Sequence, residues 1–306
     1  MSKLRIATRG SQLALWQANH VKRRLEEDDP KLTVELLVIK TKGDKILDVP
    51  LSKVGGKGLF VKEIEQALLD KDADLAVHSM KDMPAALEEG LVMAAISKRE
   101  EPWDAWVSKK GPLMKLPAGA VVGTSSLRRA CQIKEKRPDL VIESLRGNVP
   151  TRVRKLEEGK YDGIVLAKAG LVRLGLGEHV LETFDIETMI PAVGQGALGL
   201  EIREGHEDLG DRVRRVLHHD SDAACVEAER SFLLKLEGGC QAPIAAYASI
   251  AQGTLKMVGL VGETDGSVMY RDSHEGNVKD AKDVGLGLAQ KLLDQGADKI
   301  IEKLMH

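Results

Sequence analysis

Two short stretches carry residues able to do chemistry. Leu236-Glu237-Gly238-Gly239-Cys240-Gln241-Ala242-Pro243 sets a thiol just beyond a helical run from Asp222 to Leu236, and its paired glycines keep side-chain bulk away from the sulfur. A group of some size could be attached to Cys240 there; the same string also reads as a helix cap followed by a small buried cysteine entering a strand. In His78-Ser79-Met80-Lys81-Asp82-Met83-Pro84 a base and an acid adjoin beyond the apolar run Leu75-Ala76-Val77, and Pro84 restrains the backbone after them. Asp82 suits the handling of a proton or a developing positive charge, and Lys81 suits a substrate carboxylate. A surface ion pair in a turn is the plainer reading of the same two residues. His78 reads as a hydrogen-bonded histidine of the core or its rim.

Cationic loops recur elsewhere. Thr8-Arg9-Gly10-Ser11 brings a guanidinium, a hydroxyl and helix amides into one turn, which suits a carboxylate or phosphate, although Ser11 also serves as a simple helix cap. Lys53-Val54-Gly55-Gly56-Lys57-Gly58 lacks the spacing of a nucleotide loop and reads as a mobile cationic flap or a solvated loop, with Phe60 on the helix that comes next. Thr124-Ser125-Ser126-Leu127-Arg128-Arg129 opens a helix with hydroxyls yet places two arginines at its positive end. An anionic ligand would relieve that conflict. Arg146, Arg152 and Arg173 also come after expected strand ends. Taken singly each arginine reads as a solvated side chain; taken with Arg9, Arg128 and Arg129 they form a set that a parallel sheet would gather at one edge, and guanidinium groups suit planar capture of carboxylates.

The elements that must position these residues alternate. Leu4 to Thr8 reads as a strand and Ala14, Ala18, Val21 and Leu25 as one face of a helix; Val34 to Ile39 is a strand, Leu59 to Lys71 a helix with Ile64 and Ala67 on its apolar face, and Leu75 to Val77 a strand. A break at Glu100-Glu101-Pro102-Trp103-Asp104 precedes a second series with strands at Ala120 to Gly123, Leu140 to Ile142 and Tyr161 to Ala167. Pro191-Ala192-Val193-Gly194-Gln195-Gly196-Ala197 then leads into the strand Leu198 to Ile202, expected to return to the first sheet, so that two crossings make a hinged cleft. Helices at Asp211 to Leu217 and Asp222 to Leu236, hairpin strands at Ile244 to Ile250, Leu255 to Val261 and Val268 to Tyr270, and a helix bearing Ala281, Gly285, Leu288 and Leu292 complete the chain.

Composition sets limits. The 306 residues, 43% hydrophobic, suffice for two or three compact domains. A net charge of -2 offers no general polyanion surface, and aromatic residues at 3% give no stacking platform, so no nucleic-acid partner is expected. Cys131, Cys225 and Cys240 are too sparse for a disulfide framework or zinc knuckle and fit a reducing cytoplasm. His218-His219-Asp220 does not share a helix face, and no metal is expected. No apolar run approaches spanning length, so the expectation is a soluble protein with no export signal and no membrane partner.

On these residues the chain resembles the porphobilinogen deaminase family of tetrapyrrole biosynthesis, also called hydroxymethylbilane synthases. The resemblance runs through RIATRGSQLALWQ at 5–17, KVGGKGLFVKE at 53–63, HSMKDMP at 78–84, GTSSLRR at 123–129, LRGN at 145–148, PAVGQGA at 191–197 and EGGCQAPI at 237–244. It implies an α/β architecture of two class II periplasmic-binding-protein-like domains with a central cleft and a smaller α/β third domain. Residues 1–97 with 196–216, 102–191, and 220–306 would form the three. It further implies a monomer whose Cys240 holds a dipyrromethane cofactor through a thioether. Porphobilinogen loses ammonia to give an electrophilic azafulvene, the growing polypyrrole attacks it, and repetition adds four rings before hydrolysis releases the linear product. By the same matching Asp82 is the catalytic carboxylate. Lys81, Arg9, Ser11, Thr124, Ser126, Arg128, Arg129, Arg146, Arg152 and Arg173 contact cofactor or substrate, Lys53, Lys57 and Phe60 belong to the active-site loop, and Gln195 lies in the interdomain hinge.

Two positions depart from the family pattern. Trp103 stands where a polar residue is usual, and Pro150 stands where a smaller or acidic residue is usual and could alter how Arg152 is presented. A two-lobed carboxylate-binding protein without catalysis is the competing reading, although it leaves Cys240 without a purpose.

Overall fold

Alternation sets the first strand: Leu4 and Ile6 enter one buried cluster and Ala7 another, while Ala18, Val21 and Leu25 bring the next helix onto Leu4 and Ile6. The computed structural model describes residues 3–45, 58, 61–236 and 242–305. In chain order the strands are β1 (Lys3–Arg9), β2 (Thr33–Ile39), β3 (Leu75–Ser79), β4 (Leu91–Ile96), β5 (Asp104–Val107), β6 (Val121–Gly123), β7 (Val141–Glu143), β8 (Gly163–Ala167), β9 (Glu182–Thr183), β10 (Leu198–Arg203), β11 (Ile244–Ala251), β12 (Thr254–Gly262) and β13 (Met269–Asn277). The α-helices are α1 (Gln12–Asp28), α2 (Lys42–Lys45), α3 (Lys62–Leu69), α4 (Leu127–Lys136), α5 (Val149–Glu157), α6 (Lys168–Arg173), α7 (Glu207–Leu217), α8 (Asp220–Lys235), α9 (Ala281–Asp294) and α10 (Ala297–Met305).

The chain divides into two compact units. One holds the described residues up to Glu100 together with Gly196–Ala223; the other holds Glu101–Gln195 and the described residues from Ala224 onward. The first unit contains a five-stranded sheet of order β2-β1-β3-β10-β4. Strands β2, β1 and β3 are parallel, and β10 runs antiparallel to both of its neighbours. The second unit contains a sheet of order β7-β6-β8-β5-β9, in which β5 is the antiparallel strand. The two sheets therefore share one topology, with the fourth place in each filled by a strand next to a crossing. β10 comes after the second sheet in sequence and joins the first; β5 opens the second.

Strand direction decides which residues reach which edge. An antiparallel strand begins where its parallel neighbours end, so the first residues of β10 and β5 reach the carboxyl edge of each sheet. Asp104 pairs with Ala167, the last residue of β8, and Leu198 pairs with Ser79, the last residue of β3.

The second unit also holds the antiparallel sheet β11-β12-β13. Phe232 of α8, Met257 of β12 and Leu288 of α9 are buried together, and Cys131 and Ile190 meet Ala245 and Leu260 in a smaller cluster. The turn at Gly266 (φ +74°) lies against α4, where an added Cβ would come within 2.6 Å of the Cys131 carbonyl oxygen. Strand β13 extends well past the expected Val268 to Tyr270. Its polar run Arg271-Asp272-Ser273-His274-Glu275 alternates between half-buried and exposed residues, as an edge strand with one wet face does. Helix α3 is shorter than expected, and α7 begins earlier, at Glu207.

Helices α8 and α9 approach closely at Gly285, where a Cβ would come within 2.0 Å of the Ala228 carbonyl oxygen. Backbone cannot yield as a side chain can. Gly285→Ala is expected to cost about 2 kcal/mol by forced separation of the two helices, read from urea unfolding; wild-type stability in this variant would contradict the packing described.

Candidate active site

In the first unit the candidate residues Arg9, Ser11, Lys81 and Asp82 lie at or just beyond the ends of β1 and β3. Beyond β1, the Ser11 hydroxyl accepts the Ala14 N–H at 3.3 Å and caps α1, which fixes the turn that carries half-buried Arg9. Strand β3, buried along Leu75–His78, passes directly into a 3-10 turn at Met80–Asp82. Met80 and Met83 are buried on either side, and Met80 donates its N–H to the Ala197 carbonyl at 3.1 Å. Between these anchors Lys81 is half-buried and Asp82 is exposed. The acid is therefore presented on a backbone held at both ends. His78 is buried, with Nε2 at 2.9 Å from Glu201 Oε2, as its place after an apolar strand suggests.

In the second unit β6 leads to Thr124, whose hydroxyl accepts the Ser126 N–H at 3.2 Å, and the Ser126 hydroxyl accepts the Arg129 N–H at 3.4 Å at the start of α4. The two arginines of that first turn do not project into solvent. Both are buried on Asp104, itself fully buried. Arg128 donates from Nη1 to Asp104 Oδ2 at 2.7 Å and to the Ile190 carbonyl at 2.8 Å. Arg129 engages all three nitrogens: Nε and Nη2 with Asp104 Oδ1 at 3.1 and 2.7 Å, and Nη1 with the Val165 carbonyl at 2.9 Å. Burial weakens the hold of Arg129 on its proton, and Asp104 opposes that shift. The anion that answers the helix conflict is thus a carboxylate of the protein, at least for Arg129.

Gln195 joins the same node, donating from Nε2 to Asp104 Oδ1 at 3.0 Å and to the Pro102 carbonyl at 2.6 Å. Asp104 is the residue that sequence reasoning passed over. The signal was present: two arginines at the positive end of one helix, and an acid opening the otherwise apolar strand Asp104-Ala105-Trp106-Val107.

Arg146 is half-buried, its carbonyl accepting from Lys155 at 3.0 Å, and Arg152 donates from Nε to the Gly147 carbonyl at 2.7 Å. Pro150 lies in the first turn of α5, where no helical N–H is needed, behind the Asn148 cap. Arg173 is the last residue of α6, which follows directly on β8. Trp103 meets Tyr247 of β11 with ring centroids 5.1 Å apart, so this departure from the family pattern is a packing contact inside the second unit. Cys240, Lys53, Lys57 and Phe60 lie outside the described residues. Among the described residues no cluster of His, Cys, Asp and Glu could hold a metal ion.

Removing the charge of Asp104 would strand two guanidinium groups away from water. Asp104→Asn is expected to destabilise the protein by about 3 kcal/mol, measured by denaturant unfolding. A loss under ~0.5 kcal/mol, the size of an ordinary surface substitution, would contradict the pairing.

Residues 4–211 match the family model described as porphobilinogen deaminase, dipyromethane cofactor binding domain, and residues 223–294 match the porphobilinogen deaminase C-terminal domain. The porphobilinogen deaminase of Syntrophotalea carbinolica is 55% identical over 305 residues, covering 99% of this chain and 96% of the relative. That of Lawsonia intracellularis is 52% identical over 306 residues, covering 99% of each. Among solved structures, the VFT2 domain of Bordetella pertussis BvgS aligns with a TM-score of 0.44 at 13% identity, over 75% of this chain and 92% of that one. The aliphatic sulphonate binding protein SsuA of Escherichia coli aligns with a TM-score of 0.41 at 14% identity, over 78% and 71%. Carried by two family models in succession and by relatives matched almost end to end, the chain belongs to the porphobilinogen deaminase family.

Proposed function

We propose that this chain condenses four porphobilinogen molecules head to tail onto a dipyrromethane primer joined to Cys240 by a thioether. Ammonia leaves at each addition, and hydrolysis finally releases hydroxymethylbilane. The observation that carries this reading is the turn after β3, where exposed Asp82 and half-buried Lys81 stand between buried Met80 and Met83. A carboxylate on a fixed backbone can accept pyrrole N–H groups and stabilise the positive charge that develops as the carbon–nitrogen bond of porphobilinogen breaks. Lys81 and Arg9 are assigned to substrate carboxylates, with the amides and hydroxyl of the Ser11 cap beside them.

The donor set of the second unit fits a cofactor bearing acetate and propionate groups. Among the described residues Arg128 forms its side-chain hydrogen bonds through Nη1, which leaves Nε and Nη2 to donate to a carboxylate. Thr124 and Ser126 present hydroxyls at the same helix start, and Arg146, Arg152 and Arg173 are assigned to successive rings of the growing chain. Arg129 and Gln195 act on ligand chiefly by holding Asp104. When bound, the dipyrromethane supplies the nucleophilic α-carbon of its terminal pyrrole. Lys53, Lys57 and Phe60 are assigned to the loop over the reacting groups on the strength of the motif at 53–63. The full reading is a three-domain cytoplasmic monomer with the boundaries given by the sequence.

Asp82→Ala is expected to fold normally and to lose more than about 99% of turnover, the scale of a principal electrostatic group, read as ammonia released from porphobilinogen. Normal release would remove Asp82 from its assigned role. Cys240→Ala is expected to show the mass of the bare polypeptide and no colour with a pyrrole reagent; retention of a dipyrromethane-sized adduct would place the attachment elsewhere.

A further inference from the structure

Beneath the turn that carries Asp82 lies a set of ionisable groups the proposed chemistry does not use. Glu65 of α3, His78 of β3 and Glu201 of β10 are all buried, at 4%, 5% and 0% exposure. His78 Nε2 lies 2.9 Å from Glu201 Oε2, and Glu201 Oε1 and Glu65 Oε1 are both buried without a hydrogen-bond donor among the described residues. Glu65 feels Glu201 from β10, His78 from β3, Glu88 from the segment before β4, and Lys62 on its own helix. Burial first, and the charge of Glu201 second, push its carboxyl up from 4.5 to about 7. Two carboxylate oxygens buried without a donor call for a proton, which turns one acceptor into a donor.

The cluster sits where it can govern the turn. His78 pairs with Gly199 across the β3–β10 ladder, and Glu201 is two residues further along β10. A Cβ on Gly199 would come within 2.4 Å of Met80 Sδ, so the bare backbone there is the seat of the first turn residue. The end of β3 is thus held by the ladder, by the Met80 seat and by the His78–Glu201 contact.

We propose that Glu65 is a positioning residue: it carries a proton, donates a hydrogen bond into the Glu201–His78 pair, and so fixes the end of β3 that presents Lys81 and Asp82. This rests on the catalytic role assigned to Asp82 above. A carboxyl that holds its proton more tightly in the folded state stabilises the fold most at low pH. That stability falls as pH rises from about 4.5 to about 7 and is level beyond. Glu65→Gln mimics the protonated acid and should lack this dependence.

The test uses the holoenzyme and its Glu65→Gln, Glu65→Ala and Glu201→Gln variants. Infrared spectra at neutral pH are expected to show a protonated carboxyl band in the wild type that is missing in Glu65→Gln. In Glu201→Gln, where the repelling charge has gone but burial remains, the band should fade at a lower pH than in the wild type. The thermal midpoint of the wild type should fall relative to Glu65→Gln between about pH 4.5 and about pH 7. Glu65→Gln should keep kcat within about two-fold, whereas Glu65→Ala should lose about ten-fold in kcat with KM little changed. Absence of the band in the wild type, a band that fades at the same pH in Glu201→Gln as in the wild type, or an unchanged kcat in Glu65→Ala would each overturn the proposal. Should Glu65→Ala fail to fold, the band in Glu201→Gln still decides. A wild type that releases no ammonia would defeat the deaminase reading and the positioning role with it, while the band would still report the proton.

Discussion

A charge denied water must be answered by another charge inside the fold, and in this protein that demand falls on Asp104. Its two oxygens take donors from Arg128, Arg129 and Gln195, which arrive from a helix start and from the segment before β10. The carboxylate comes there because β5 runs against its neighbours and so opens at the edge where β8 ends. One interaction thereby orients the start of α4, with the Thr124 and Ser126 hydroxyls, and ties Gln195 to the same edge. The first sheet repeats the arrangement with neutral groups: the antiparallel strand β10 begins beside the end of β3, and the Ala197 carbonyl just before it takes the Met80 N–H.

Both units obey one rule, in which rigid buried flanks carry an exposed or half-exposed polar group. Asp82 is exposed between Met80 and Met83; Arg152 is steered by the Gly147 carbonyl, on a residue whose φ of +117° and closeness to Thr151 exclude a side chain. Chemistry on a strongly anionic, lengthening substrate asks for cations that are spaced and fixed in direction, since a mobile side chain would spend binding free energy on its own ordering.

Much of this was legible in the chain. Apolar alternation in Leu4 to Ala7 and the β-branched run Val34 to Ile39 gave strands, and the oxygen-bearing residues before α1 and α4 gave their caps. The conflict of two arginines at a helix start was visible as a conflict. Its resolution was not, because one acid opening a short apolar strand acquires meaning only when β5 is known to lie antiparallel to β8. Strand β13 outruns its sequence signal for a similar reason: its outer face is exposed, and polar residues there carry no strand signal. The Glu65–His78–Glu201 cluster joins residues more than a hundred positions apart, and no local pattern brings them together. Cys240 and Asp82, by contrast, are candidates on local sequence alone, through glycines in one case and an adjoining lysine and a nearby proline in the other.

The central claim is that one thiol-anchored chain grows by whole deaminated pyrrole units on this polypeptide. Intact-mass measurement of the wild-type protein after exposure to limiting porphobilinogen tests it most directly. The expected result is a ladder of covalent species above the cofactor-bearing mass, each separated from the next by one porphobilinogen less ammonia and each mapping to the peptide that contains Cys240. A single unmodified mass, unchanged by porphobilinogen, would contradict it.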